Sequence, residues 1–121
     1  MTTTANKTAA KEVYTPDHSN RVVSAAESVP SLSTDGTDCS GFNVLAVSRT
    51  LTLATTVDFA LYYYDGAGWL VAEDSTALAV DDYDPTAASF FQQYNIAGVF
   101  RYKFVVTATD GTLRVAENLS I

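Results

Sequence analysis

Apolar side chains return at every second position in run after run of this chain, the period of a strand with one face buried. The alternation is sharpest between Val99 and Ala108. Phe100, Tyr102, Phe104, Val106 and Ala108 fall on one face, and Val99, Arg101, Lys103, Val105 and Thr107 fall on the other. The first face is expected to be core. After the turn residues Thr109 to Thr112, the series Leu113, Val115, Glu117 and Leu119 alternates with Arg114, Ala116, Asn118 and Ser120. A second hairpin is therefore expected across residues 109–112, with the chain ending in a strand.

The strongest local signal is the stretch from Phe59 to Glu73. Two runs rich in aromatic and branched residues flank Asp65, Gly66, Ala67 and Gly68, whose glycines accept the positive φ angles that close a hairpin. Two pairings fit: Tyr64 with Trp69 across a four-residue loop, or Tyr62 with Trp69 across Asp-Gly. Alternation divides the side chains in the same way for both. Phe59, Leu61, Tyr63, Leu70 and Ala72 share one face, while Tyr62, Tyr64, Trp69 and Val71 share the other. The second face carries more large side chains than a solvent face needs. Either the fold itself covers it, with the aromatics as ordinary cross-strand pairs, or it is a contact surface for a partner chain or a sugar ring.

Other segments repeat the pattern with less force. Arg21 to Ser28 reads as a first strand, stopped by Pro30, which cannot donate to a ladder; a helix over Ser24 to Glu27 is the minor alternative. Ser33 to Gly41 is a turn-rich loop, Phe42 to Ser48 a strand, and Leu51 with Leu53 another that enters the hairpin through Thr55 and Val57. Ala77 to Val80 fits a short strand, and Asp81 to Pro85 a loop. Residues 86–97 are the one place where a helical turn or two is expected, before Gly98. The sum is an all-β chain, an antiparallel β-sandwich of jelly-roll or Greek-key type with about seven or eight strands.

Residues 1–20 differ from all this, with Val13 and Tyr14 as the large apolar anchors after Met1 in a run of Thr, Ala, Lys and Asn. They are expected to form an extended N-terminal arm ahead of a sandwich domain at 21–121. Such an arm either lies along its own sandwich as an edge strand or drapes over a neighbouring subunit and gains main-chain hydrogen bonds there.

Composition narrows the possible functions. The 121 residues suffice for one domain with its own core. Seven basic against 14 acidic residues give a net charge of −7, which repels phosphate backbones, so nucleic acid is not an expected partner. No apolar run is long enough to span a membrane, and the opening Met-Thr-Thr-Thr-Ala-Asn-Lys lacks the apolar segment of a secretory signal. Cys39 is the single cysteine, so no intrachain disulfide forms, and a reducing compartment is expected.

Candidate chemistry is sparse. A Ser or Cys nucleophile needs a base, and the one histidine, His18, lies in the polar arm; a His18 and Cys39 dyad is a remote option. The same scarcity argues against zinc. Asp81, Asp82 and Asp84 offer hard oxygens for calcium at a spacing that matches no EF-hand, and a solvated acidic loop is the plainer account. No catalytic, cofactor or metal residues are therefore assigned. Arg101 and Lys103, outward on the clearest strand of an acid-rich chain, either solvate their face or meet the acids of a neighbouring copy.

The opening of Thr and Ala, the arm, and a compact acidic sandwich with the aromatic hairpin Leu61 to Leu70 resemble the small decoration, cement and accessory proteins of tailed-bacteriophage virions. That resemblance implies a non-enzymatic structural role in a virion assembled in the host cytoplasm: clamping capsid subunits or joining head or tail components, as a homo-oligomer or with other virion subunits. The expected interface residues are Val13, Tyr14, Tyr62, Tyr64, Trp69, Arg101 and Lys103. The alternative is a carbohydrate-binding or lectin-like module, with Tyr62, Tyr64 and Trp69 stacking on sugar rings.

Overall fold

A computed structural model describes residues 17–74 and 89–121. Within them the chain forms eight strands and no helix: β1 (Asp17–Val23), β2 (Thr37–Asp38), β3 (Val44–Leu51), β4 (Val57–Tyr64), β5 (Trp69–Asp74), β6 (Ser89–Asn95), β7 (Arg101–Thr109) and β8 (Leu113–Ser120). They build two four-stranded sheets in the orders β1-β8-β3-β6 and β2-β7-β4-β5, with every ladder antiparallel.

This order has a simple origin. β4 pairs with β5, β3 with β6, β2 with β7 and β1 with β8, as in one long hairpin. Rolling that hairpin adds the ladders β3 with β8 and β4 with β7 and yields two stacked sheets. The fold is a jelly-roll sandwich. The aromatic hairpin is the closed end of the roll, and Tyr64 pairs with Trp69 across the four-residue loop. Asp65 holds that loop by accepting from the Ala67 and Gly68 amides at 2.8 and 2.9 Å, and Gly66 takes a φ of +96°.

The inner faces interdigitate as the alternation predicts. Leu61, Phe104 and Val106 of one sheet pack in one cluster with Leu45, Val47, Val115 and Leu119 of the other. Phe59 lies at the centre, its ring 5.2 Å from Phe104 within its own sheet and 5.4 Å from Phe90 of the opposite one. Irregularities in both β4 ladders, at Asp58/Phe59 and Leu61/Tyr62, coil the strand while keeping Phe59 and Leu61 inward.

Several expectations are corrected. Residues 89–95 form strand β6 in place of a helical turn, with Phe90 and Tyr94 buried and Phe91 and Gln93 exposed. Period two overrides the weak helical composition there. The turn at 109–112 closes no hairpin, since β7 and β8 lie in different sheets. The reversal crosses the sandwich because its groups bind the 52–56 segment: the Thr112 carbonyl accepts from the Leu53 and Ala54 amides at 3.0 and 3.1 Å, and the Asp110 carboxylate accepts from the Thr55 and Thr56 amides. Phe100, expected in the core, precedes β7, is exposed, and packs beside Gly66; Ala108 is also exposed, beyond the irregularity opposite Asp58. Leu51 ends β3 and Leu53 lies in the following turn, so the two do not make a separate strand. The first strand begins at Asp17 and ends at Val23, so residues 17–20 belong to the sandwich edge. Residues 1–16 with Val13 and Tyr14, the strand expected at Ala77 to Val80, and Asp81, Asp82 and Asp84 lie outside the described residues.

Asp110 provides a direct check on the crossing turn. Hydrogen bonds from the Thr55 hydroxyl and the Thr55 and Thr56 amides all favour its ionised form and hold its carboxyl at about 2. A depressed folded value means that its contribution to stability is present above the unfolded value of about 3.9 and fades as pH falls through the folded one. Carbon-detected titration is expected to place the Asp110 midpoint near 2. A midpoint at the ordinary aspartate value would mean that the turn is not tied to residues 55 and 56.

Candidate interaction surfaces

Register places five expected interface residues on one outer face of the β2-β7-β4-β5 sheet. Arg101, Tyr64 and Trp69 form one row across β7, β4 and β5; Lys103, Tyr62 and Val71 form the next. The rings of Tyr64 and Trp69 meet at 5.3 Å and 53°. The face is only partly free, because the loop after Pro30 folds over its first row. Trp69 Nε1 donates to the Leu32 carbonyl at 2.9 Å, and the Trp69 ring closes on Gly36, where an added Cβ would sit 3.0 Å from it. Arg101 donates from Nε to the Asp35 carbonyl at 2.8 Å and from Nη2 to those of Thr34 and Gly36.

Trp69 and Arg101 thus hold a loop of their own chain. A sugar-stacking platform would have to do without the Trp69 N–H, which is already committed. Tyr62, Tyr64 and Lys103 are half-buried, while Val71 and the neighbouring Leu70 are exposed. Cys39 is fully buried, its thiol pushed up to about 12 by burial and by Asp38, so the native fold does not present it for a disulfide between chains.

A second cluster lies beside the first, sharing Gly36 and Lys103 with it, where β1 and β2 leave a cleft of about 560 Å³ between the sheets. Beyond β2 the edge of β7 is completed by side chains. Arg21 Nη2 donates to the Phe104 carbonyl at 3.0 Å; the Val106 amide donates to Glu27 Oε1 at 3.0 Å, and its carbonyl accepts from the Glu27 amide at 2.8 Å. Arg21 Nε also binds Glu27 at 2.8 Å, and Nη1 binds the buried Glu117, which accepts a further bond from the Tyr102 hydroxyl at 2.7 Å. The network ties β1 and β8 of one sheet to β7 of the other. Burial works against the Glu27 carboxylate, but the Arg21 hydrogen bond, the Val106 amide and the charges of Arg21 and Lys103 outweigh it and hold its carboxyl below the usual range. The acids and bases satisfy one another, which suits a clamp better than a catalytic pair.

Sequence reasoning missed this clamp, although one signal was present: Glu117 stands in the stripe Leu113, Val115, Leu119, and a charge in a core stripe needs a buried partner. Arg49 repeats the pattern after Leu45 and Val47; it is buried, with its guanidinium 5.1 Å from the Phe90 ring centroid. Nothing in sequence spacing points from Glu117 to Arg21. Among the described residues, no group of three or more His, Cys, Asp or Glu side chains converges as a metal site, and no helix is long and apolar enough to cross a membrane.

No protein-family model matches the chain, and no curated protein does. Among solved structures, the chain is similar to the crystal structure of the SPBc2 prophage-derived protein YomS, with a TM-score of 0.53 and 18% sequence identity over 88% of this chain and 96% of that one. At that identity the likeness establishes a shared fold.

Proposed function

We propose that the chain is a non-enzymatic structural protein of a virion, a capsid decoration or a head or tail accessory subunit that holds neighbouring subunits together. The observation that carries this reading is the fold match to a prophage-derived protein over nearly the full length of both chains, which makes the whole jelly roll the common unit. Fold alone does not fix function, since jelly rolls serve both capsids and lectins. The site geometry favours the structural role. Trp69, the natural anchor of a sugar platform, holds the Leu32 loop, and the Arg21 clamp locks the two sheets into a rigid block. In this reading Val13 and Tyr14 anchor an arm on a neighbouring subunit, while Tyr62, Lys103 and the exposed Val71 contribute a second contact.

The test is to purify particles by density gradient from cells that produce the chain from its own locus and to quantify it by mass spectrometry. The chain is expected to co-sediment with particles at a fixed ratio to the major subunit, and a version lacking residues 1–16 at a lower ratio. A chain that stays wholly at the top of the gradient would contradict the reading.

A further inference from the structure

The first described residue, Asp17, and the exposed Phe100 lie at the same end of the roll. β1 and β7 run in the same direction, and Arg21 of β1 reaches the Phe104 carbonyl of β7; Asp17 and Phe100, each four residues earlier, are therefore level. Phe100 is 51% exposed, yet it is fixed in place. Its carbonyl accepts from the Cys39 amide at 3.0 Å and the Ser40 hydroxyl at 3.4 Å, its amide donates to the Tyr64 carbonyl at 3.3 Å, and its ring lies against Gly66. The ring thus stands between the loop that carries Asp38 and the turn that carries Asp65, both exposed acids. These carboxylates accept from the amides of Ser40, Ala67 and Gly68, and among the described residues neither forms an ion pair. Arg101, next in sequence, is committed to the carbonyls of residues 34–36.

We infer that this end of the roll docks the N-terminal segment of the same chain, residues 1–16, with Val13 and Tyr14 against Phe100 and Lys11 beside Asp65. Charge favours the pairing. Residues 1–16 hold Lys7, Lys11 and Glu12, a net +1, which leaves 5 basic and 13 acidic residues, a net −8, in residues 17–121. The segment is the cationic part of an acidic chain, and it joins the roll at the end where Asp38 and Asp65 lack a counter-ion. Reach agrees as well. Stacked sheets about 10 Å apart and a sideways offset of one strand, about 4.8 Å, put β7 roughly 11 Å from β1. Tyr14 is three residues ahead of Asp17, an extended span of about 10 Å, and Lys11 is three further, enough to cross Phe100 to the Asp65 turn. A tether this short gives an effective concentration in the millimolar range, so the chain's own segment fills the site ahead of another copy's at about micromolar concentration. Transfer of the segment to the same end of a neighbouring subunit is the step that rests on the structural reading above; docking in the free chain does not.

The test is NMR of the full chain at about 100 μM, below the effective concentration of the tether. Nuclear Overhauser contacts are expected from the Tyr14 ring to the Phe100 ring, with backbone order parameters at Val13 and Tyr14 above about 0.6. Raising salt from about 50 to about 500 mM, or Lys11→Glu, is expected to weaken the contacts at least about threefold, because both remove the attraction between unlike charges. Phe100→Ala is expected to abolish them. Leu53→Ala, at the opposite end of the roll where the Leu53 amide meets the Thr112 carbonyl, is expected to leave them unchanged; both side chains are exposed, so neither variant opens the core. Order parameters below about 0.6 with no contact from residues 1–16 to the roll overturn the inference. Contacts that survive Phe100→Ala overturn the choice of site, and contacts seen only between differently labelled chains in a mixed sample overturn docking within one chain. Docking in a chain that never co-sediments with particles would contradict the virion reading alone, and co-sedimentation without these contacts would overturn this inference alone.

Discussion

Replacement of Phe59 by alanine is expected to destabilise the protein by about 4 kcal/mol, the middle of the range for a buried aromatic. Phe59 is buried to 1% exposure and touches rings from both sheets, Phe104 beside it and Phe90 across the sandwich. Its removal costs both the transfer of a large apolar side chain and a cavity between strands that neighbouring ladders hold apart. β4 lies between β5 and β7, so it cannot close the gap without breaking a pairing. Urea unfolding measures the loss as a lower midpoint at unchanged slope. A loss below about 1 kcal/mol would mean that the three rings do not share one core.

The second large effect is expected for Arg21→Met, at about 2–3 kcal/mol. Glu117 is 6% exposed and would keep only the Tyr102 hydroxyl, while Glu27 and the Phe104 carbonyl would lose their charged partner. The value is set below that of a fully buried pair because the Arg21 side chain is 31% exposed. Adding Glu117→Gln to Arg21→Met is expected to recover part of the loss, since a neutral amide costs less to bury than an unpaired carboxylate. pH supplies a further check. Glu27 has a lowered folded value, so its contribution is present above the unfolded glutamate value of about 4.3 and is lost as pH falls through the folded one. Arg21→Met is expected to flatten the acid limb of a stability profile; an unchanged limb would show that the clamp contributes nothing.

The hairpin at Tyr64 and Trp69 was legible because its information is local: turn residues that demand special backbone angles, flanked by period-two apolar runs. The inward stripe of β8 was legible for the same reason. The jelly-roll order was not, because the turn chemistry at Thr109 to Thr112 is the same whether the next strand pairs with β7 or crosses to the other sheet. What decides is the grip of Asp110 and Thr112 on residues 52–56, far away in sequence. Ser89 to Asn95 also fits a helical turn because its buried residues Phe90 and Tyr94, four apart, share one face in a helix and in a strand alike. The division of labour on the aromatic face was partly hidden as well: Trp69 and Arg101 bind backbone carbonyls of residues 32 and 34–36, acceptors that every residue type offers alike.

The central claim is that this jelly roll works by surface contact with other subunits. Hydroxyl-radical footprinting of the free chain and of particle-bound chain, read at Tyr62, tests it most directly. Tyr62 is half-buried in the single chain, on the outer face given to the contact, so modification is expected when the chain is free and dilute, and several-fold protection when it is bound. Equal modification in the two states would contradict the account.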